Sequence, residues 1–315
     1  MEESKGNFSH IRIEQRKYEE WLIISKGRGI KMLKVGIFSD EISQDFEHTL
    51  KVIEELEIEY VELRSMWGKS LMDLPSNELK RVKELIEEKN LKVSVIASPF
   101  LKCHLREEET EKTRGGTHLF QEKSYTKHLE ILEHSFELAE MFGTHIVRAF
   151  SFWKKGNLTE DILEEIVQRF KTPVRRAEEE NIILALENEH DCFIGSGKES
   201  RRFLERISSK NVGLIWDPGN AFFAGETPYP DGYNLVKDQI VHVHIKDTGK
   251  DEKGKPFWLP VGKGGVNFKG QLQALEEDNF QGVVSLETHY IPEDGSAEDG
   301  TRESFAGMSH ILESL

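Results

Sequence analysis

Eight short apolar runs, most of them separated by a helical pattern, constrain the fold of this chain more than any other feature. The runs occupy residues 34–39, 60–63, 92–97, 145–150, 182–187, 213–217, 240–245 and 283–287. They are nearly continuous in hydrophobic residues, as parallel strands covered on both faces are, rather than alternating. Strand and helix repeated in this way predict an α/β fold, a closed (β/α)8 TIM barrel.

The segments between the runs are typical of amphipathic helices. In FEHTLKVIEELE and KHLEILEHSFELAEMFG, apolar residues recur every three or four positions and form one core-facing stripe. Asn90, Gly143 and Asn181 stand where such helices would end before the next strand. The alternative, an open doubly wound sheet, usually has a glycine-rich phosphate loop after its first strand, and FSDEISQDFE contains no glycine.

The chain divides into an N-terminal extension and one barrel domain. Residues 1–31 resemble none of the repeat, and Met32, just before the first run, could serve as an alternative translation start. We therefore expect residues 1–31 to be either a dispensable extension or a helix packed under the barrel, followed by a single TIM-barrel catalytic domain over residues 32–315. Long polar connections at 98–123 and 246–267 follow the third and seventh runs. On the catalytic face of a barrel they are binding loops or lids, or, for the first of them, equally a tolerated insertion.

The bulk properties exclude several classes of function. A net charge of −15 argues against wide contact with a nucleic-acid backbone. No apolar run approaches the roughly 18 residues of a membrane span, and the charged start lacks a secretory core. Two isolated cysteines, Cys103 and Cys192, fit a reducing compartment. We expect a cytoplasmic protein that acts on a small molecule, without nucleic acid or membrane partners, and a homo-oligomer stays open.

Four successive strands end on a side chain that can bind a metal. The fifth to eighth runs stop at Glu187, Asp217, His244 and Glu287. Consecutive strand ends are neighbours in a barrel, so these groups should converge at the catalytic rim. Three carboxylates and an imidazole suit Mn²⁺, Mg²⁺, Co²⁺ or Zn²⁺, and the carboxylates would repel one another without a cation. Each residue alone has a simpler explanation as a rim charge, turn or core residue, but together they predict one divalent metal.

Four segments resemble the sugar phosphate isomerase/epimerase superfamily, the xylose-isomerase-like barrels. They are LALENEH, WDPGNA, VHVHIKD followed by PVGKGGVNF, and VSLETH, and the resemblance covers residues 34–315. The resemblance implies that Glu187, Asp217, His244 and Glu287 are the metal ligands, and that both glutamates also act as catalytic acid and base. The superfamily includes ketose 3-epimerases, inosose dehydratases and endonuclease IV, so the resemblance does not select a substrate.

Three positions depart from the ketose epimerases. Asn220 stands where those enzymes carry a histidine, and Phe193 stands where they place a substrate-contacting glutamate. Lys263 lies between two glycines in a loop that often reads Gly-Glu-Gly in the relatives. We expect Asn220 to contact substrate. Lys263 either binds a phosphate or carboxylate of the substrate or is a solvated loop residue.

The remaining candidates for substrate binding follow or lie within other strands. Glu62 and Arg64 end the second strand, His242 shares a face with the predicted histidine ligand, and Lys246 follows the seventh strand. Arg148 lies inside an apolar strand. A buried arginine needs a carboxylate or an anionic ligand, so structural pairing and substrate binding are equal alternatives for it.

These features predict a metal-dependent isomerase or epimerase of a small sugar, sugar phosphate or polyol derivative, working through an ene-diolate or enolate. Loss of a β-hydroxyl would instead make the enzyme a dehydratase of a keto-polyol. A zinc phosphodiesterase like endonuclease IV is disfavoured, because the first three strands end without histidine (FSDE, VELR, VIASP) and the chain is acidic. A non-catalytic sugar-binding barrel would not require two glutamates beside the metal.

Overall fold

Eight parallel strands close into a barrel in the computed structural model, which describes residues 33–106 and 124–315. Neighbours in the barrel are neighbours in the chain, and the last strand closes onto the first with Val283 opposite Lys34. The predicted (β/α)8 TIM barrel is confirmed. The strands are β1 (Lys34–Phe38), β2 (Tyr60–Leu63), β3 (Lys92–Phe100), β4 (Ile146–Ala149), β5 (Ile183–Glu187), β6 (Val212–Trp216), β7 (Ile240–Ile245) and β8 (Val283–Leu286).

Helices follow the strands and cover the outside of the barrel. They are α1 (Phe46–Glu55), α2 (Ser76–Glu88), α3 (Tyr125–Phe142), α4 (Glu160–Glu179), α5 (Gly197–Leu204), α6 (Pro218–Phe223), α7 (Tyr233–Val236), α8 (Phe268–Glu277) and α9 (Ala297–Glu313). The predicted helix stops adopt left-handed backbone angles, with φ of 54° at Asn90 and Asn181 and 71° at Gly143. Within the described residues, each helix is too short or too polar to cross a bilayer.

Several strand boundaries differ from the prediction by a residue or more. β6 ends at Trp216, and Asp217 is the N-cap of α6. Its side chain accepts a hydrogen bond from the backbone amide of Asn220. β3 continues to Phe100, so the first residues of the predicted 98–123 connection are strand. The remainder of that connection from residue 107 lies outside the described residues, as do the extension over residues 1–31 and the start at Met32.

The second predicted connection, residues 246–267, is built around an antiparallel hairpin in which Asp247–Lys250 pairs with Pro256–Leu259. The buried carboxylate of Asp247 holds this region together. It accepts hydrogen bonds from the backbone amides of Thr248, Gly262, Gly264 and Val266. Because four amides converge on one carboxylate, the loop is packed onto the rim of the barrel rather than extended from it.

An apolar layer inside the barrel lies just below the strand ends. Val95, Ala185 and Ile215 form a separate buried cluster within the ring of strands. Alternate residues of a strand point to the same side. Glu187 and Asp217 lie two positions after Ala185 and Ile215, so their side chains also point into the barrel. They form the next layer towards the C-terminal end, where the interior is polar.

Candidate metal centre

The structure brings the four predicted ligands together at the C-terminal end of the barrel. One ligand atom each from Glu187, Asp217, His244 and Glu287 lies within 4.8 Å of the others. Glu187 ends β5 and His244 is in β7, while Asp217 and Glu287 directly follow β6 and β8. Each of the four is at most 2% exposed. A buried group of three carboxylates requires positive charge beside it.

Two atoms of this group are buried without a hydrogen bond. They are Asp217 Oδ2 and His244 Nδ1. His244 Nδ1 is 3.3 Å from Glu187 Oε1 and 3.7 Å from Glu287 Oε2, so it faces the carboxylates. A buried polar atom without a hydrogen bond calls for an explanation, and an ion that it would bind is one such explanation. The residues present therefore fit a divalent cation, both in donor chemistry and in the atoms left without hydrogen bonds.

Glu62 orients the imidazole of His244 from the opposite side. Its Oε1 lies 3.2 Å from His244 Nε2, and its Oε2 lies 3.0 Å from His242 Nε2. A carboxylate at Nε2 keeps a proton on that nitrogen, so the neutral form of the ring would direct its Nδ1 lone pair at the centre. Burial acts to raise the pKa of Glu62, but the two histidines lower that pKa well below its usual range. Glu62 and His242, both predicted to bind substrate, thus support the centre through His244.

Lys246 supplies a cation from within the chain. Its Nζ is 2.8 Å from both Asp217 Oδ2 and Glu287 Oε2, although only the second contact has hydrogen-bond geometry. Burial acts to lower the pKa of Lys246, and the surrounding carboxylates, Asp217 first, raise it well above its usual value. Burial raises the pKa of Asp217 to about 6, although the positive charge of Lys246 acts to lower it. The ammonium group therefore stays charged and partly neutralises the cluster.

Arg64 connects Glu287 to two acidic residues after β1. Its guanidinium lies 2.6 Å from Glu287 Oε1, 2.6 Å from Glu41 and 2.8 Å from Asp40. His289 contacts the same Glu41 carboxylate through Nδ1 at 2.9 Å. Arg64 is thus occupied by carboxylates on three sides. Asp40, Glu41 and His289 were not among the site residues predicted from the sequence. The segment FSDE, which contains Asp40 and Glu41, served there only to show that the first strand ends without a histidine.

Arg148 forms an ion pair with Glu187, the second glutamate of the centre. It donates to Glu187 Oε2 at 3.1 Å and to the backbone carbonyls of Ala97 and Ser98. Of the two alternatives for this buried arginine, the structure shows the ion pair. Glu187 Oε1 is left facing the centre, 3.3 Å from the Asn220 side-chain amide.

Lys263 is not brought to the centre. It is exposed, whereas the amides of Gly262 and Gly264 on either side of it donate to Asp247 Oδ2 at 2.9 Å. The loop turns its backbone inward, so the side chain between the two glycines stays at the surface. Phe193 is buried in the apolar core.

A cavity of about 520 Å³ opens above the centre. Its lining includes the ionisable side chains of Arg64, His289, Lys102, Glu189 and His190. The hairpin after β7 contributes an aromatic wall, since the ring of Trp258 stacks on that of Phe223 with centroids 4.4 Å apart. Lys246 Nζ is 5.6 Å from the centre of the Trp258 ring. The wall therefore adjoins the carboxylate cluster.

Two curated proteins align with parts of the chain. An uncharacterised protein of Methanocaldococcus jannaschii is 30% identical over 168 residues, which is 51% of this chain and 55% of that protein. An inosose dehydratase of Clostridium tetani is 24% identical over 199 residues, which is 59% of this chain and 65% of that protein. The chain thus covers less than two thirds of the length of each of these relatives.

Solved structures resemble the chain over nearly its whole length. The IolI protein, crystallised with a bound zinc atom, superposes with a TM-score of 0.69 and 19% identity, covering 90% of this chain and 99% of that one. A xylose isomerase-like TIM barrel protein of Mycobacterium smegmatis in complex with magnesium gives a TM-score of 0.65 and 19% identity, covering 90% and 97%. At such identities the likeness concerns the fold.

The family assignment rests on a continuous match. Residues 50–310 match the family described as xylose isomerase-like TIM barrel. That range begins in α1 and ends in α9, so it includes seven of the eight barrel strands and every strand that contributes a group to the candidate centre. The chain belongs to the xylose isomerase-like TIM barrel family.

Proposed function

We propose that this protein is a divalent-metal-dependent isomerase or epimerase that acts on a small sugar or polyol derivative. One observation carries the proposal. Each of the two glutamates has one oxygen held by an arginine and its other oxygen facing the centre: Glu187 through Arg148, and Glu287 through Arg64. Carboxylates restrained in this way are suited to accept and return a proton at a fixed position.

A divalent ion held by Glu187, Asp217, His244 and Glu287 would acidify a carbon–hydrogen bond beside a substrate carbonyl. The glutamates themselves are weak bases. Burial acts to raise the pKa of Glu187, whereas His244 and Arg148 lower it below its usual value. Burial acts likewise on Glu287, whose pKa is held well below its usual range by nearby cations, Lys246 first. The carbon acid must therefore be strengthened for these carboxylates to deprotonate it.

The fate of the proton determines the reaction. Return to the opposite face of the same carbon is epimerisation, and return to the adjacent carbon of the ene-diolate is isomerisation. Loss of a β-hydroxyl would be dehydration, the second candidate. It is favoured by the similarity to the inosose dehydratases of Clostridium tetani and Geobacillus thermodenitrificans, which are 24% and 25% identical over the aligned regions.

The size of the cavity supports a small-molecule substrate, because about 520 Å³ is typical of pockets that bind compact ligands. The net charge of −15 makes a nucleic-acid substrate unfavourable. The proposal includes a cytoplasmic location and no membrane partner. It is compatible with a homo-oligomer.

Proton transfer is tested directly by hydrogen exchange with solvent. In D₂O, the metal-loaded enzyme should incorporate deuterium at one carbon next to the carbonyl of a ketose or inosose, as observed by NMR. Glu287→Gln should slow this exchange by about 10²-fold or more, since an amide cannot accept the proton. Because an amide oxygen coordinates a metal only weakly, the exchange is compared at ion concentrations that give the variant and the wild type equal metal content.

The matched control is Glu130→Gln, the same substitution at an exposed residue of α3. It should exchange at the wild-type rate. Full turnover by Glu287→Gln would remove this residue as an acid–base catalyst and would contradict the proposed mechanism. The products distinguish the two candidate reactions, because only dehydration releases water from the substrate.

A further inference from the structure

The cations around the centre and the cavity are already paired with carboxylates. Within the described residues, Arg64, Arg148 and Lys246 contact the two glutamates, Asp217 and the acidic residues after β1. Lys102, which also lines the cavity, lies 3.2 Å from Glu189 Oε2. A phosphate group is usually bound by arginine or lysine side chains that are available to it. Each of these four cations would have to give up a carboxylate first.

A backbone site that could hold an anion is also filled. The amides of Gly262 and Gly264 point to a common position, as in the glycine-rich turns that cradle phosphates. That position is taken by the carboxylate of Asp247, 2.9 Å from both amides. A Cβ placed on Gly264 would lie 2.2 Å from Asp247 Oδ1, which shows how closely this carboxylate fits the turn.

The cavity lining itself is acidic. It contains four carboxylates and two cations, which give a net charge of −2 when both lining histidines are neutral. Protonation of both histidines would only bring the lining to zero. A divalent ion and Lys246 together would only balance the three carboxylates of the centre. A phosphate with about two negative charges near pH 7 would therefore still meet a lining that repels it or is at best neutral.

Trp258 has the largest flat side chain among the described residues that line the cavity. Phe223 covers one face of the indole at an interplanar angle of 23°, and His289 meets the ring edge-on at 5.1 Å. The amides bound to Asp247 hold the base of the hairpin that carries Trp258. The wall is thus fixed in place before any ligand binds, which lowers the entropic cost of binding against it.

We propose that the substrate is an uncharged cyclic polyol or keto-sugar that packs its ring against Trp258. The carbon–hydrogen face of such a ring is apolar and gains by contact with the indole. Its hydroxyl groups can donate to Glu41 and Glu189, which both line the cavity. This inference rests on the proposed function and adds the charge and shape of the substrate to it.

Calorimetric titration of the metal-loaded protein tests both properties without requiring turnover. The probes are myo-inositol, which is cyclic and uncharged, myo-inositol 1-phosphate, and the open-chain polyol glucitol. We expect myo-inositol to bind about tenfold or more tightly than its phosphate, because like charges repel at the cavity lining. We also expect it to bind more tightly than glucitol.

Two variants of the hairpin distinguish the contribution of the Trp258 ring from that of the rest of the hairpin. Trp258→Ala should weaken myo-inositol binding by about tenfold, the loss of one aromatic contact. Phe257→Ala removes the neighbouring ring, which is 45% exposed, and should leave the affinity unchanged. Both variants should keep the wild-type metal content, and circular dichroism establishes that both are folded at the temperature of the titration.

Tighter binding of the phosphorylated probe, equal affinities in Trp258→Ala and Phe257→Ala, or failure of myo-inositol to bind would each overturn the inference. Failure of the proposed function is detected separately, by the metal content of the wild type and by the absence of solvent exchange into any ketose or inosose. An enzyme that exchanges protons only in phosphorylated sugars would retain the function and refute the substrate class.

Discussion

Replacing Glu62 by glutamine should weaken metal binding although Glu62 does not belong to the four-residue centre. The carboxylate accepts from Nε2 of His242 at 3.0 Å and from Nε2 of His244 at 3.2 Å. Glutamine offers one acceptor oxygen and one NH₂ group. One histidine then faces an N–H donor and must move its proton to Nδ1 or lose its partner. If that histidine is His244, the lone pair directed at the centre is lost.

The size of the effect follows from burial. Glu62 and both histidines are 0% exposed, so water cannot replace the lost acceptor. A buried donor left without a partner costs about 1–3 kcal/mol. Loss of a carboxylate that orients a metal-bound histidine typically reduces metal affinity by about 10–100-fold. We expect Glu62→Gln to weaken the affinity for Zn²⁺ or Mn²⁺ within that range.

The assay is competition with a chromophoric chelator, and melting temperature and circular dichroism establish that the variant is folded. Glu130→Gln, an exposed glutamate of α3, serves again as the matched control and should bind metal as the wild type does. Wild-type affinity in a folded Glu62→Gln protein would refute the idea that this carboxylate sets the tautomer of His244.

Three further results are expected. Lys246→Met should bind a divalent metal about tenfold or more tightly in equilibrium titration, because each charge-assisted contact that the ammonium must surrender is worth about 1.5–3 kcal/mol; weaker binding would contradict this. Burial acts to lower the pKa of His244, but Glu62 and Glu187 raise it to about 10, so the ring is protonated at neutral pH and must lose its proton to bind a metal. Calorimetry near pH 7 in buffers of different ionisation enthalpy should therefore show about one proton released per ion, and no release would argue against ligation by His244. A chain beginning at Met32 should keep its metal and its melting temperature, since β1 begins at Lys34; a large fall in melting temperature would show that residues 1–31 stabilise the barrel.

Residues placed by a single strand could be predicted from the sequence. Glu187 and His244 end or nearly end apolar runs whose order in the barrel follows their order in the chain. Asp217 was assigned to the end of a strand and is instead a helix cap, but this does not change its position at the rim. Local patterning and the closed topology together are therefore sufficient to bring these groups together.

Residues placed by contacts between distant segments could not be predicted. Arg64 joins Glu41 to Glu287 across more than 200 positions of the chain, and no periodic pattern reports such a pairing. The exposure of Lys263 follows from the two glycine amides that bind Asp247, a contact that residue spacing does not reveal. The position of Trp258 in the cavity lining depends on the pairing of the hairpin and on stacking against Phe223, and neither contact is visible in the sequence.

Metal stoichiometry is the most direct test of the central claim, which is that four residues at the strand ends hold one divalent ion. Wild-type protein, reconstituted with Mn²⁺ or Zn²⁺ and freed of excess ion, should retain about one ion per chain by elemental analysis, and His244→Ala should bind it at least about 10–100-fold more weakly. His134→Ala, a substitution on the helix α3 far from the barrel interior, should retain the full amount. Three zinc ions per chain, none in the wild type, or equal retention in His244→Ala would contradict the account.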